Sequence, residues 1–179
     1  MKSYKYDIYR YYGKYEESLR QRIVRPKELK FIITFRNLNN CNNIIARCFY
    51  SFKLRRLRAK TFIQIPPNTK IGKGFYIGHC GRIIINHKVI IGKNCNIATG
   101  VTIGQENRGK REGCPTIGDS VWIGTNSVIV GNIKIGNDVL VAPLAYVNFN
   151  VPDHSIVIGN PATIIPRKNA TEKYIEKTV

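Results

Sequence analysis

A chain of 179 residues holds one core-forming domain with an appendage, which excludes a second enzyme domain of ordinary size. Its hydrophobic fraction of 43% and charged fraction of 22% are globular values and exclude a disordered or fibrous chain as the first description. The formal net charge of +18 stands apart: it directs the surface toward polyanions, and charge alone does not choose among nucleic acid, anionic lipid, an acidic glycan and CoA.

Residues 1–61 read as a basic, mainly helical region. Apolar residues fall at loose helical spacing, as in Ile44, Ile45, Cys48, Phe49 and Phe52, and the cations Lys53, Arg55, Arg56 and Arg58 follow. Two or three helices are expected, either packed on the end of the main domain or presenting a basic amphipathic surface to an anionic membrane. Arg36, Arg47 and a run of Asn interrupt the stretch from Phe31 to Phe52, so no apolar segment of about 20 residues is available to span a bilayer. The first residues carry no apolar secretory segment, and the expected location is cytoplasmic, peripheral at the inner membrane face. Cys41, Cys48, Cys80, Cys95 and Cys114 are odd in number and lack metal-type spacing, so free thiols and no metal are expected.

The character changes over 62–165. Ile65, Ile71, Ile77 and Ile83 are six apart; after a slip of two, Ile85, Ile91, Ile97 and Ile103 resume the period. Ile117, Ile123, Ile129, Ile135, Val141 and Val147 continue it beyond an interruption, and Ile158 and Ile164 mark a last turn. A period of six fits neither helix nor strand alone. It fits a prism with three flat sides, in which each aliphatic side chain points to the axis and the Gly that often follows turns the corner. Each fully buried aliphatic side chain contributes about 1.5–3 kcal/mol, so the column holds itself together. Residues 105–116, QENRGKREGCPT, break the period and are expected to project as a loop, and 166–179 form a polar tail outside the prism. Val128, Val130, Val139 and Tyr146 are expected on the flat sides, where association into a homotrimer, or a hexamer of two trimers, would cover them.

Five segments carry a family resemblance: DIYRYYGK, IPPNTKIGKGFYIGHCGRIIIN, IGKNCNIATGVTIG, CPTIGDSVWIG and VPDHSIVIGNPATII. Together they resemble hexapeptide-repeat acyltransferases, both the bacterial serine acetyltransferases and the O-acetyltransferases of capsule, colanic acid and other surface-polysaccharide clusters. The resemblance implies a mainly β fold, a left-handed parallel β-helix with a helical N-terminal region, and acetyl-CoA as co-substrate without a metal. It assigns His79, in the IGH segment, as the general base, a role an imidazole can fill because it titrates near neutrality. Backbone N–H groups at Gly104 and Gln105 correspond to the oxyanion donors. Thr125, Ala142 and Pro143 correspond to positions along the acetyl-CoA arm, Gly159 to Pro161 to its adenine end, and Arg167 and Lys168 to its phosphates. The plain alternative for the glycines is corner-turning.

The chain also departs from that pattern. Gln64 stands fifteen residues before His79, where the serine enzymes carry an Asp that pairs with the His; an amide can hold the ring but does not stabilise imidazolium as a carboxylate does. Glu106 or Glu112 of the loop could supply an acid instead. Gly78 and Cys114 replace two further polar residues of the serine enzymes, and an amino-acid ammonium calls for an anionic partner in a desolvated site. A surface-polysaccharide hydroxyl, on a glycan or lipid-linked sugar, is therefore the expected acceptor. Arg82, Asn86 and Cys114 would lie on the acceptor side, with Arg82 meeting an acidic sugar or sitting on the rim. The competing readings are a serine O-acetyltransferase, acyl transfer to an amino sugar, and a catalytically weak polyanion-binding scaffold. No nucleic-acid module is present, and no nucleic acid partner is expected.

Overall fold

The computed structural model describes residues 3–179, so Lys2 of the basic region lies outside the described residues. Four helices come first, not two or three: α1 (Tyr4–Tyr12), α2 (Leu19–Ile23), α3 (Lys27–Asn39) and α4 (Ile44–Thr61). Local chemistry sets their ends. Gly13 takes the left-handed conformation that closes α1, Ser18 and Gln21 form a capping box at α2, and the Asn43 side chain accepts the Ala46 N–H at the start of α4. The short α2 is the element that helical spacing alone does not separate from its loops.

The rest is a parallel β-helix of about five coils. Its first side stacks β1 (Ile63–Gln64), β4 (Ile83–Ile85), β7 (Thr102–Gly104), β10 (Val128–Val130) and β13 (Tyr146–Val147). The second side holds β2 (Lys70–Ile71), β5 (Ile90–Ile91), β8 (Thr116–Ile117) and β11 (Lys134–Ile135). The third holds β3 (Tyr76–Ile77), β6 (Asn96–Ile97), β9 (Trp122–Ile123), β12 (Val139–Val141) and the hairpin of β14 (Ser155–Gly159) with β15 (Ala162–Pro166). Register alignment turns the hexads into three columns, such as Ile77, Ile97, Ile123, Val141 and Val157. All five are at most 1% exposed. A Cβ on Gly72, Gly92 or Gly118 would come within 2.5–2.6 Å of the backbone of the glycine one coil further on, so this corner tolerates no side chain.

Two expectations about the column fail for stated reasons. Ile158 points outward, and Val157 takes the inward place, because the last strand returns as an antiparallel hairpin instead of completing a coil. Val139 is fully buried, since β12 carries two inward residues, and it is not available for association. The projecting segment is also one residue shorter than 105–116, because Thr116 already pairs with Ile90 and Lys134.

The first coil leaves an unpaired strand edge, and the helices satisfy it. Asp7 accepts the Phe75 N–H, Arg10 donates to Gly74 O, and Arg36 donates to Ile71 O and Gly72 O. The Tyr11 hydroxyl donates to Ile77 O at 2.7 Å; burial raises its pKa well above the ordinary phenol value, which keeps that proton in place. DIYRYYGK is thus the clamp on β3. Phe31, Ile32, Phe35 and Leu38 of α3 and Leu54 of α4 continue the aliphatic core over this end.

The three outer faces differ. The third is covered by α1 and by residues 167–179, through Tyr11 on Tyr76, Tyr174 on Trp122 and Ala170 on Leu140. Asp138 pins that tail by accepting the Ala170 and Thr171 N–H groups. The second is lined by exposed Lys70, Ile90, Thr116 and Lys134. The first presents Ile84, Val128, Val130 and Tyr146 with nothing over them among the described residues.

Candidate functional site

Between Ile77 and Ile85 the chain uses eight positions where the other corners between these two sides use six, as from Ile97 to Ile103. The two extra residues widen the corner 78–82, and His79 sits on it, exposed. Among the described residues none hydrogen-bonds its ring. The corner itself is held firmly: Gly81 N–H donates to Thr61 O, and Thr99 Oγ1 donates to Cys80 O. Glu28, in the first turn of α3, accepts the Cys80 N–H at 2.6 Å. Sequence reading does not find Glu28, because 52 positions separate it from Cys80 and nothing periodic links them.

Cys80 neighbours the imidazole, which raises the question of a thiol nucleophile. Burial, with the Glu28 carboxylate as a second cause, pushes this thiol up to about 12, so it stays protonated and is not the nucleophile. Burial likewise raises Cys114. The five cysteines are free, and among the described residues no cluster of His, Cys, Asp and Glu could hold a metal ion.

The corners place the other expected residues on three edges of the prism. The edge between the third and first sides carries His79 and Arg82, then Thr125, then Ala142 and Pro143, and at the hairpin turn Gly159 and Pro161, one group after another along the stack. Four inter-strand steps of about 4.8 Å make that edge about 19 Å long, room for an extended pantetheine chain. Arg167 and Lys168 are not on it: the hairpin carries the chain back across the third side, where Arg167 N–H donates to His154 O.

The edge between the first and second sides carries Asn86, Gly104, Gln105 and Cys114. Here the segment 105–115 folds back on itself through reciprocal backbone bonds between Glu106 and Gly113, and Glu106 pairs with Arg111 at 3.3 Å. The Gln105 backbone N–H has no acceptor among the described residues, so it remains available as a donor. At Gly104 an added Cβ would meet only Val130 Cγ1 at 3.6 Å, ordinary contact; the fold of one chain does not require glycine there. Gln64, between the two edges on the outer face of β1, is exposed and does not hydrogen-bond His79.

One chain therefore does not bring the imidazole and the loop donors together. They flank the apolar first side, and rotation about a threefold axis would set one edge of a protomer against the other edge of its neighbour.

Residues 114–148 match the bacterial transferase hexapeptide family (six repeats). In sequence the chain is 40% identical over 103 residues to serine acetyltransferase 4 of Arabidopsis thaliana, covering 58% of this chain and 29% of that one. It is 38% identical over 108 residues to a serine acetyltransferase of Staphylococcus epidermidis, covering 60% and 51%. The chain thus spans about half the length, or less, of these relatives. Among solved structures it resembles the serine acetyltransferase of Neisseria gonorrhoeae, with TM-score 0.76 and 26% identity over 93% of this chain and 66% of that one. The fold is shared with a Brucella abortus serine acetyltransferase in complex with coenzyme A, at TM-score 0.77 and 24% identity over 93% and 67%. These findings overturn the expected surface-polysaccharide acceptor and favour its serine alternative. The carboxylate bonded to this corner, Glu28, comes from α3 and not from the IGH or loop motifs.

Proposed function

We propose that the chain is an acetyl-CoA-dependent serine O-acetyltransferase that acts as a homotrimer, with His79 as its general base. What carries this reading is the distribution of the site over two edges on either side of the one uncovered apolar face. The similarity to serine acetyltransferases supplies the substrates.

His79 accepts the proton of the serine hydroxyl as its oxygen attacks the thioester carbonyl carbon. The resulting oxyanion is received by the N–H of Gln105 from the adjacent protomer, a donor left unpaired within its own chain. When the tetrahedral adduct collapses, the carbon–sulfur bond breaks and imidazolium returns the proton to the leaving thiolate, giving O-acetylserine and CoA. Thr125, Ala142 and Pro143 guide the pantetheine chain along the edge of His79. Glu28 is a positioning residue for the His79–Cys80 segment, and it adds the negative charge that an amino-acid ammonium requires near this corner.

Thiol release from acetyl-CoA should depend on added L-serine; release that is the same without it, or that needs a sugar, ends the reading. A mixture of His79→Asn chains with chains shortened in the 105–115 loop, each inactive alone, should recover roughly a quarter of the native rate after refolding together, as random threefold assembly predicts. No recovery would mean that the site is complete within one protomer. Glu28→Ala should lower kcat about tenfold and the unfolding temperature by a few degrees, because it leaves the Cys80 N–H without its acceptor. Glu28→Gln keeps an acceptor for the Cys80 N–H, so it should restore kcat while leaving the KM for serine raised. Equal behaviour of the two variants would limit Glu28 to packing.

A further inference from the structure

Helix α4 buries one stripe and should turn a polar stripe to water. Leu54 and Thr61 are on the buried stripe, against α3 and β1. The opposite stripe is not polar. Ile45, Phe49 and Phe52, spaced as i, i+4 and i+7, are 77%, 59% and 62% exposed. Around them stand Lys53, Arg55, Arg56 and Lys60, with Arg47 and Arg58 on the Leu54 side, and the helix has no acidic residue. Lys53 lies over the Phe49 ring and Arg56 over the Phe52 ring, at 6.0 and 5.7 Å from the centroids, so the cations border the aromatic stripe and do not hide it.

We infer that this face of α4 docks on an anionic phospholipid surface, with Ile45, Phe49 and Phe52 entering the headgroup boundary and the flanking cations meeting lipid phosphates. Three partners could cover an apolar helix face, and the charge separates them. A second copy of the same face would set four cations against four, which repels. Nucleic acid satisfies the cations but gives Ile45 nothing to pack on. A lipid interface takes both, with apolar side chains at the acyl boundary and Lys and Arg among the headgroups. No helix among the described residues is long and apolar enough to cross a membrane, which fits a helix that lies on the surface. The inference is independent of the acetyl acceptor, because α4 meets the His79 corner only through the Thr61 carbonyl at its buried end, and the docking side chains lie on the opposite stripe.

The full chain should sediment with vesicles of mixed phosphatidylglycerol and phosphatidylcholine and stay in the supernatant with pure phosphatidylcholine. Added salt should weaken the association, since charge provides part of it. Phe49→Ser with Phe52→Ser should lower the bound fraction about tenfold, and Arg55→Gln with Arg56→Gln by a similar factor. Both double variants should keep the native unfolding temperature and serine-dependent turnover, because the altered side chains point to solvent. Equal binding to neutral vesicles, no binding by the native chain, or unchanged binding by the double variants would overturn the inference. A change of assembly size on sedimentation velocity with vesicle binding unaltered would assign the face to protein contact instead.

Discussion

His79→Asn is expected to lower turnover by about 10²–10⁴-fold while leaving the unfolding temperature unchanged. The substitution keeps a hydrogen-bonding side chain of similar reach but removes the atom that accepts the hydroxyl proton. Stability should not change, because His79 is exposed and no described residue bonds its ring. The corner beneath it is fixed by the Gly81 N–H donating to Thr61 O and the Cys80 N–H donating to the Glu28 carboxylate, and neither involves the imidazole. With acetyl-CoA proposed to lie along the edge of Thr125 and Pro143, away from the substituted ring, its KM should move little. The loss then falls in kcat, as it does for an interaction made only in the transition state. Serine-dependent thiol release within a few-fold of the native rate would move the base elsewhere, His87 and His154 being the other two histidines.

Asp7→Ala is expected to destabilise the fold by about 3–5 kcal/mol, the cost of leaving a buried charge without its partner. Asp7 is fully buried and Arg36 nearly so, and the two meet through a bidentate pair at 2.9 and 3.1 Å. Arg36 also carries the Ile71 and Gly72 carbonyls, and Asp7 the Phe75 N–H, so the loss reaches the first coil. The unfolding midpoint should fall by roughly 10 °C at fixed protomer concentration. The paired change Asp7→Leu with Arg36→Met should recover much of this, because it leaves no orphan charge. If the double variant is no more stable than Asp7→Ala, the backbone bonds rather than the ion pair hold this end.

The inward columns were legible because burial in a stacked coil asks the same thing of every sixth residue, whatever its neighbours do. Ile158 broke the rule where the stacking itself stopped, and an antiparallel return shifts the inward position by one. The widened corner was visible as the slip between Ile83 and Ile85, although its meaning needed the register of β1 on β4. Glu28 was out of reach, since its contact with Cys80 depends on how α3 docks and no local pattern records docking. The acceptor was out of reach as well: the motifs carry few charges at the corner, and it is the similarity to serine acetyltransferases that favours serine. The resemblance sets Arg167 and Lys168 at the CoA phosphates; the hairpin carries them across the third side from Gly159, a separation that closeness in sequence does not record.

A stack of identical rungs has no intrinsic length, and chains of this kind left open would add to one another into filaments. Here the hydrogen-bonding groups of the lowest rung are spent on Asp7, Arg10, Tyr11 and Arg36, while β15 folds back along β14 at the top. The molecule thereby meters its own height, and any association is left to the sides of the stack.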